Sequence, residues 1–393
     1  MGIALPGTLS QLRHEGRGPV IVVGAGIIGA ACAWRMAERG FEVVVLERES
    51  GPATGSTGRS VAGVRHQFSE AVNVKLSMAS IEEYRAMPQA DYRPHGYLFA
   101  VPHASWQSQR QSAAMQRALG APVQLLTPQE AAERVPMRVD ELAGATWCGA
   151  DGIVDPHGIC LEYVARARAL GARFLFGEAV QRLERRDGLW HAQASSGRFA
   201  APLVVNAAGP WAGEVARAAA MIVPVAPARR IVFATAPLPA ELRAHAPYPL
   251  TIDLATGVYF RSEGERLIFG CSNPADTGFE EGIDWPWLEE VYARALTRFP
   301  WFEQLAIDRR ACWWGYYEMT PDGNAVLGRM PGAEGWINAC GFSGHGVQQA
   351  GAIGRVIADE ACGEAPFIDV DALRIERFAR REAGNDAGER LVI

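Results

Sequence analysis

Short apolar runs and longer amphipathic stretches alternate along the chain, a pattern that predicts an α/β protein. The runs Val20–Val23 and Val43–Leu46 predict two buried strands on either side of a helix. Further helices are predicted over residues 70–87, 104–120, 128–134, 157–170, 284–299 and 347–361. Further strands are predicted over residues 96–101, 173–184, 203–206 and 335–341. Residues 222–270 are rich in β-branched and aromatic side chains and predict an antiparallel sheet.

A glycine-rich turn follows the first predicted strand, and an acid ends the second. Gly24, Gly26 and Gly29 have the GxGxxG spacing, and Glu47 is the acid. In such a unit the first glycine permits the turn, the second lets a pyrophosphate approach the helix N-terminus, and the third lets the helix pack on the sheet. Glu47 can accept hydrogen bonds from both ribose hydroxyls and would repel a 2′-phosphate. The unit therefore predicts FAD or NAD rather than NADP, and the alternative is a glycine pattern that only makes a turn.

A second glycine-rich turn, Gly341–Gly346, joins another predicted strand to a helix about 300 residues further along the chain. Two helix N-termini of this kind suit one long anionic ligand held at two points. They suit a mobile nicotinamide less well. Two unrelated tight turns are the alternative.

Composition narrows the class of protein. The chain has 393 residues, 49% of them hydrophobic and 21% charged, which suggests two closely joined domains. A net charge of -6 argues against nucleic-acid binding. The seven cysteines show no CxxC or metal-ligand spacing, which predicts reduced thiols, a cytoplasmic location and no metal site. No signal peptide or run of 18 apolar residues is present, so no transmembrane segment is expected, and residues 1–18 and 381–393 are predicted to be loose tails.

Four segments, in this order, resemble the D-amino-acid-oxidase-like FAD oxidoreductases, which include sarcosine oxidases and dehydrogenases, glycine oxidase and D-amino-acid dehydrogenases. The segments are residues 24–47, 55–60, 206–211 and 314–346, the last with Trp314-Gly, Thr320-Pro-Asp-Gly, Leu327-Gly and the second glycine turn. The resemblance covers about residues 18–375. It implies an α/β fold with a Rossmann-type FAD-binding domain from residues 19–80, 145–215 and 310–380. It also implies an α+β substrate domain with a large mixed or antiparallel sheet from residues 81–144 and 216–309.

The same resemblance implies which residues hold FAD. They are Gly24, Gly26, Ile27, Ile28, Gly29, Glu47, Arg48, Ser56, Thr57, Arg59, Ser60, Val180, Ala208, Gly209, Gly344, His345, Gly346, Val347 and Gln348. Gly315 stands where sarcosine-oxidase-like enzymes carry the cysteine that binds flavin covalently, and Cys312 is out of register. Non-covalent FAD is therefore expected.

Related enzymes oxidise a C–N bond by hydride transfer from carbon to flavin N5, so a small amino acid or a secondary (N-methyl or imino) amine is the expected substrate. Arg65, which is followed by His66, is the predicted carboxylate anchor, with pairing to Glu70 on the surface as the alternative. Other predicted catalytic residues are His66, Tyr259, Tyr317, His345 and Gln348.

The chain also departs from its relatives at the substrate end. Tyr317 replaces the arginine of glycine-oxidase-like members, Gln348 replaces the lysine of sarcosine-oxidase-like members, and Ile268 stands at the position of an oxygen-activating lysine. The electron acceptor (oxygen, a quinone or another protein) and a homo- or hetero-oligomeric state stay open. The alternative functions are a flavoprotein subunit or assembly factor of a larger complex with little turnover of its own, and a 2-hydroxy-acid dehydrogenase.

Overall fold

A computed structural model describes residues 17–380 and 388–392 of the chain. The strands are β1 (Arg17–Val23), β2 (Phe41–Glu47), β3 (Gly63–Val64), β4 (Tyr97–Pro102), β5 (Gln124–Leu126), β6 (Leu142–Cys148), β7 (Gly152–Ile153), β8 (Arg173–Phe176), β9 (Arg182–Arg186), β10 (Leu189–Gln193), β11 (Arg198–Ala201), β12 (Leu203–Asn206), β13 (Ala226–Ala234), β14 (Leu250–Asp253), β15 (Tyr259–Glu263), β16 (Arg266–Gly270), β17 (Trp313–Met319), β18 (Val326–Arg329) and β19 (Trp336–Cys340). The helices are α1 (Ile27–Glu38), α2 (Ala71–Arg85), α3 (His103–Ala118), α4 (Pro128–Arg134), α5 (Pro156–Ala169), α6 (Ala212–Arg217), α7 (Ala240–Arg243), α8 (Trp285–Arg298), α9 (Gly346–Cys362) and α10 (Arg377–Arg380).

A six-stranded sheet in the order β18-β19-β12-β1-β2-β8 carries the predicted βαβ unit. Its neighbouring strands run parallel, except that β18 is antiparallel to β19. Alternate residues of β1 enter two different cores, because Val20 and Val22 pack with α1, α5 and α9, whereas Ile21 and Val23 pack toward β9, β10 and α6. Both faces are covered, which explains why these strands read as continuous apolar runs.

An eight-stranded sheet in the order β17-β13-β16-β15-β14-β4-β6-β5 forms the second large layer. All its neighbours are antiparallel except β14 and β4. Along β13, Ile231 and Phe233 pack into a core with α8, whereas Arg230 and Val232 line a cavity on the other face. The fold class expected from the sequence, α/β with a large mixed sheet in a second layer, is confirmed.

Most predicted elements occur within two residues of their expected bounds, and Thr127 forms a capping box with Glu130 at the start of α4. The strand region predicted over 173–184 is two strands, β8 and β9, which belong to different sheets. Strands β6 and β17 pair into the larger sheet. They overlap the stretches 145–215 and 310–380 that the sequence predicted for the FAD-binding domain.

The C-terminal residues 388–392 are not a loose tail, so the prediction for 381–393 is wrong there. Glu389 and Leu391 are each 5% exposed. The Glu389 carboxylate accepts hydrogen bonds from the Ser69 amide and hydroxyl and from Asn73 Nδ2, and Leu391 packs with aromatic residues of β4. At the other end, Arg17 and Gly18 belong to β1 rather than to a tail. The rest of the predicted tails, residues 1–16, 381–387 and 393, lies outside the described residues.

Candidate active site

One cavity of about 960 Å³ has walls from both large sheets. The carboxyl ends of β1 and β2 and the N-termini of α1 and α9 line one part of it. Side chains of β4, β13, β15 and β17 line the other part. A ligand in this cavity would therefore touch the predicted dinucleotide cradle and the face of the eight-stranded sheet at once.

The first glycine turn has no room for side chains. Gly24 has a φ of +104°, and a Cβ on it would lie 2.4 Å from the Ala207 carbonyl oxygen. A Cβ on Gly29 would lie 2.0 Å from the Gly24 carbonyl oxygen, so this glycine packs α1 on the turn and does not line the cavity. These contacts agree with the turn and packing roles that the sequence predicted for Gly24 and Gly29.

Glu47 ends β2 with its carboxylate held by the backbone. Its Oε2 accepts from the Ala25 amide at 2.7 Å, and its Oε1 accepts from the Glu49 amide at 2.9 Å. The side chain still lines the cavity, and each oxygen keeps a lone pair. Glu47 is thus placed to accept from two ribose hydroxyls.

The loop Ser56–Ser60 is tied to both layers. Thr57 Oγ1 accepts from the Ile27 amide at 3.0 Å, at the first turn of α1. Ser56 Oγ donates to the Tyr316 carbonyl at 2.7 Å, which links the loop to β17. The loop therefore bridges the helix N-terminus and the sheet face along the cavity.

The second glycine turn leads into α9. Gly344 has a φ of +93°, and a Cβ on it would lie 2.4 Å from the Tyr317 ring, so this ring packs directly against the turn. The buried Gln348 lines the cavity, and its Oε1 has no hydrogen-bond partner among the described residues. A buried acceptor of this kind is satisfied by a ligand N–H or O–H group.

Of the residues predicted to bind cofactor or substrate, all but Gly29 and His66 line this cavity. The lining ones are Gly24, Gly26, Ile27, Ile28, Glu47, Arg48, Ser56, Thr57, Arg59, Ser60, Arg65, Val180, Ala208, Gly209, Tyr259, Tyr317, Gly344, His345, Gly346, Val347 and Gln348.

His66 faces away from the cavity, into a buried polar cluster. Its Nδ1 is 2.5 Å from Asp151 Oδ1 and 3.8 Å from Cys148 Sγ. These three side chains could hold a metal ion by geometry, although the sequence spacing gave no such indication. The Asp151 carboxylate already accepts from the His66 amide and from Gln67 Nε2, so the cluster is explained as a satisfied structural one.

Arg65 is fully buried, and its guanidinium contacts other groups of the protein. Its Nη2 donates to the Leu391 carbonyl at 2.5 Å and lies 3.3 Å from His345 Nε2, while Nη1 is 3.5 Å from the Tyr97 hydroxyl. Burial and the neighbouring Arg65 cation hold the pKa of His345 well below its usual value, so this imidazole is neutral. The alternative interpretation, a surface arginine paired with Glu70, does not describe Arg65, which is buried and contacts Leu391, His345 and Tyr97.

Tyr259 and Tyr317 stand on the sheet face of the cavity. Burial raises the pKa of both phenols above the ordinary value, although the Arg230 cation beside them acts in the opposite direction. Both hydroxyls are therefore protonated and can donate a hydrogen bond to a ligand.

Sequence reasoning missed six charged residues of the cavity wall, which are Glu49, Glu178, Glu214, Arg230, Glu281 and Glu318. Burial raises the pKa of Glu318 to about 7, against the opposing effect of the Gly341 and Phe342 amides that its carboxylate binds. For Arg230 a signal existed: adjacent arginines in a strand point to opposite faces, so either Arg229 or Arg230 had to face the cavity side.

This fold and cavity define a dinucleotide-binding oxidoreductase with a separate substrate layer. The family model described as "FAD dependent oxidoreductase" (DAO) matches residues 19–360, and the chain belongs to that family. The chain is similar to FAD-dependent oxidoreductase domain-containing protein 1 of Bos taurus, with 30% identity over 92% of this chain and 85% of that protein. It is 26% identical to mitochondrial sarcosine dehydrogenase of Mus musculus over 91% of this chain and 41% of that protein. Among solved structures, L-proline dehydrogenase from P. horikoshii superposes with a TM-score of 0.85 at 27% identity, covering 93% of this chain and 98% of that one.

The residues present fit the FAD that this family uses. Two helix N-termini, those of α1 and α9, line one cavity, and within the described residues neither has an acidic residue in its first turn. The glycine turns let a ligand approach the protein backbone, and Gln348 Oε1 is an acceptor without a partner among the described residues. FAD is the cofactor.

Within the described residues, no helix has the length and hydropathy needed to cross a membrane.

Proposed function

We propose that this protein oxidises the C–N bond of a small amino acid or secondary amine, such as an N-methyl or imino amino acid, by hydride transfer to FAD. The observation that carries the proposal is the single cavity, because it joins the dinucleotide cradle to a polar sheet face bearing two neutral phenols and an arginine. FAD bound in the cradle would accept the hydride at N5.

The residues of the chain bind, orient and desolvate the substrate. A cavity wall of Tyr97, Tyr259 and Tyr317 excludes water, and desolvation lowers the pKa of a substrate ammonium. The amine must be neutral to release a hydride, so such a wall replaces a strong general base. The phenols of Tyr259 and Tyr317 donate hydrogen bonds, and the neutral His345 imidazole offers no competing charge.

The similarity to L-proline dehydrogenase supports a substrate with a secondary amine and a carboxylate, and the similarity to sarcosine dehydrogenase supports an N-methyl amino acid. The identity of the electron acceptor, the oligomeric state and a cytoplasmic location stay predictions from the sequence.

The experiment is an anaerobic screen of amino acids and N-methyl amines against the purified flavoprotein, read as loss of the flavin band near 450 nm. We expect rapid bleaching by at least one small amino acid or secondary amine and none by its N-acetylated form, whose nitrogen lone pair is delocalised. Free FAD with the same compounds is the control. Bleaching by 2-hydroxy acids alone would show a hydroxy-acid dehydrogenase, and no bleaching by any compound would favour a subunit or assembly factor.

A further inference from the structure

Strand β13 divides two adjacent arginines between the faces of the eight-stranded sheet. Arg229 points away from the cavity and binds Asp276 with two nitrogens, at 2.7 and 3.2 Å. Arg230 faces the cavity, opposite Gly315 of β17. The Arg230 guanidinium lies in the cavity wall between the Tyr317 ring and Met319, while the space over Gly315 is taken by the side chain of Arg59.

Arg230 has no anionic partner in the part of the chain that the structure describes. Its Nη1 donates to the Arg229 carbonyl at 2.8 Å, and its Nη2 is 3.9 Å from Met319 Sδ. Its Nε is buried and has no partner in residues 17–380 or 388–392, and no carboxylate of these residues forms an ion pair with it. A buried guanidinium donor without an acceptor is costly, and a ligand oxygen would remove that cost.

The neighbours of Arg230 complete a small anion-binding face. Its guanidinium carbon lies 5.1 Å from the centre of the Tyr317 ring, and its charge acts on the phenols of both Tyr317 and Tyr259. A carboxylate at this guanidinium could also accept from a phenol hydroxyl.

Arg65 also has a buried Nε with no partner among the described residues, but both of its terminal nitrogens are engaged. Nη2 donates to the Leu391 carbonyl of the C-terminal segment and lies near His345 Nε2, and Nη1 is near the Tyr97 hydroxyl. The position of Arg65 is also fixed by aromatic rings at 4.7 to 5.6 Å, those of Phe68, Tyr97 and Phe99. Arg65 therefore serves first to hold the segment 388–392 against the sheet.

We propose that Arg230 is the substrate-binding residue that holds the carboxylate of the substrate, with Tyr259 and Tyr317 beside it, and that Arg65 is a positioning residue. The inference rests on the proposed function, which it narrows to substrates carrying a carboxylate next to the amine.

The test is a titration of the oxidised holoenzyme with benzoate and with benzamide. Binding is measured from the change in flavin absorbance. Arg230→Met should weaken benzoate binding about 100-fold and leave benzamide within about threefold, because only the carboxylate uses the charged fork. Arg230→Lys keeps the charge without the fork and should give an intermediate loss. Arg309→Met is the matched control, since Arg309 is exposed, lies at the Trp285 ring outside the cavity and should leave benzoate affinity unchanged.

Three results would overturn the assignment: benzoate binding that survives Arg230→Met, equal losses of benzoate and benzamide in the Met and Lys variants, or loss of benzoate binding in Arg65→Lys but not in Arg230→Lys. The titration needs no turnover. It therefore still reports on Arg230 if no amine reduces the flavin, which is how failure of the proposed function would appear.

Discussion

We expect the titration of the Glu318 carboxyl group to make the stability of this protein depend on pH. Its pKa is about 7 in the folded protein and 4.5 in an ordinary environment, because burial disfavours the charged form. The folded state therefore binds this proton more tightly than the unfolded state, and the stabilisation is complete below about pH 4.5 and is lost as pH rises through 7. The difference between the two pKa values corresponds to about 3 kcal/mol in the free energy of unfolding, at 1.36 kcal/mol per pKa unit. The side chain is only half-buried in the cavity wall, so we expect about 1–3 kcal/mol.

Glu318→Gln removes this titration. The difference in free energy of unfolding between variant and wild type should shift in favour of the variant by about 1–3 kcal/mol between pH 5 and pH 8. The assay is urea unfolding at several pH values, monitored by tryptophan fluorescence. Glu289→Gln is the control, because this carboxyl group is exposed on α8. A difference between wild type and Glu318→Gln that stays constant over this range would refute the reasoning.

Two further predictions concern the cradle and the C-terminal segment. Gly26→Val places branched methyl groups at the N-terminus of α1, where a Cβ would already lie 3.3 Å from Thr57 Oγ1, so the protein should purify without flavin. A visible spectrum that shows full flavin occupancy would contradict the assignment of this turn as the dinucleotide cradle. Glu389→Ala leaves the Ser69 amide and Asn73 Nδ2 without this acceptor, so we expect a loss of about 1–3 kcal/mol and faster proteolysis near residue 388, measured against Glu334→Ala at an exposed turn. Equal cleavage of the two variants would show that the segment is not held by this carboxylate.

The dinucleotide cradle could be predicted because its determinants are local in sequence. Gly24, Gly29 and Glu47 lie within one strand–helix–strand unit, and each has a steric or hydrogen-bonding role that follows from its spacing. The helices could be predicted for the same reason, as the capping box at Thr127 shows. The pairing of the strands could not be predicted from the sequence, because β8 and β9 follow one another in the chain but belong to different sheets.

The substrate part of the cavity depends on contacts between residues that are distant in the sequence, and these contacts could not be predicted from the sequence. Arg65 and Leu391 are 326 residues apart, and nothing in either segment indicates that a main-chain carbonyl would occupy the arginine. Likewise, the adjacent pair Arg229 and Arg230 indicates that one arginine faces each side of the sheet, but only the packing of the two faces shows that α8 covers one side and the cavity lies on the other.

Gly315 connects the two halves of the site, because β17 and the loop Ser56–Ser60 approach each other closely at this residue. A Cβ there would lie 3.0 Å from Arg59 Cβ, so a side chain would require the loop to shift by a few tenths of an ångström. That loop cannot move freely, because the Arg59 carbonyl accepts from Trp313 Nε1 at 2.9 Å and the guanidinium lies 4.6 Å from the Trp314 ring. Gly315 therefore lets the loop of the cofactor layer pack on β17, directly across from Arg230. The flavin cradle and the anion-binding face depend on the same close approach of two backbones.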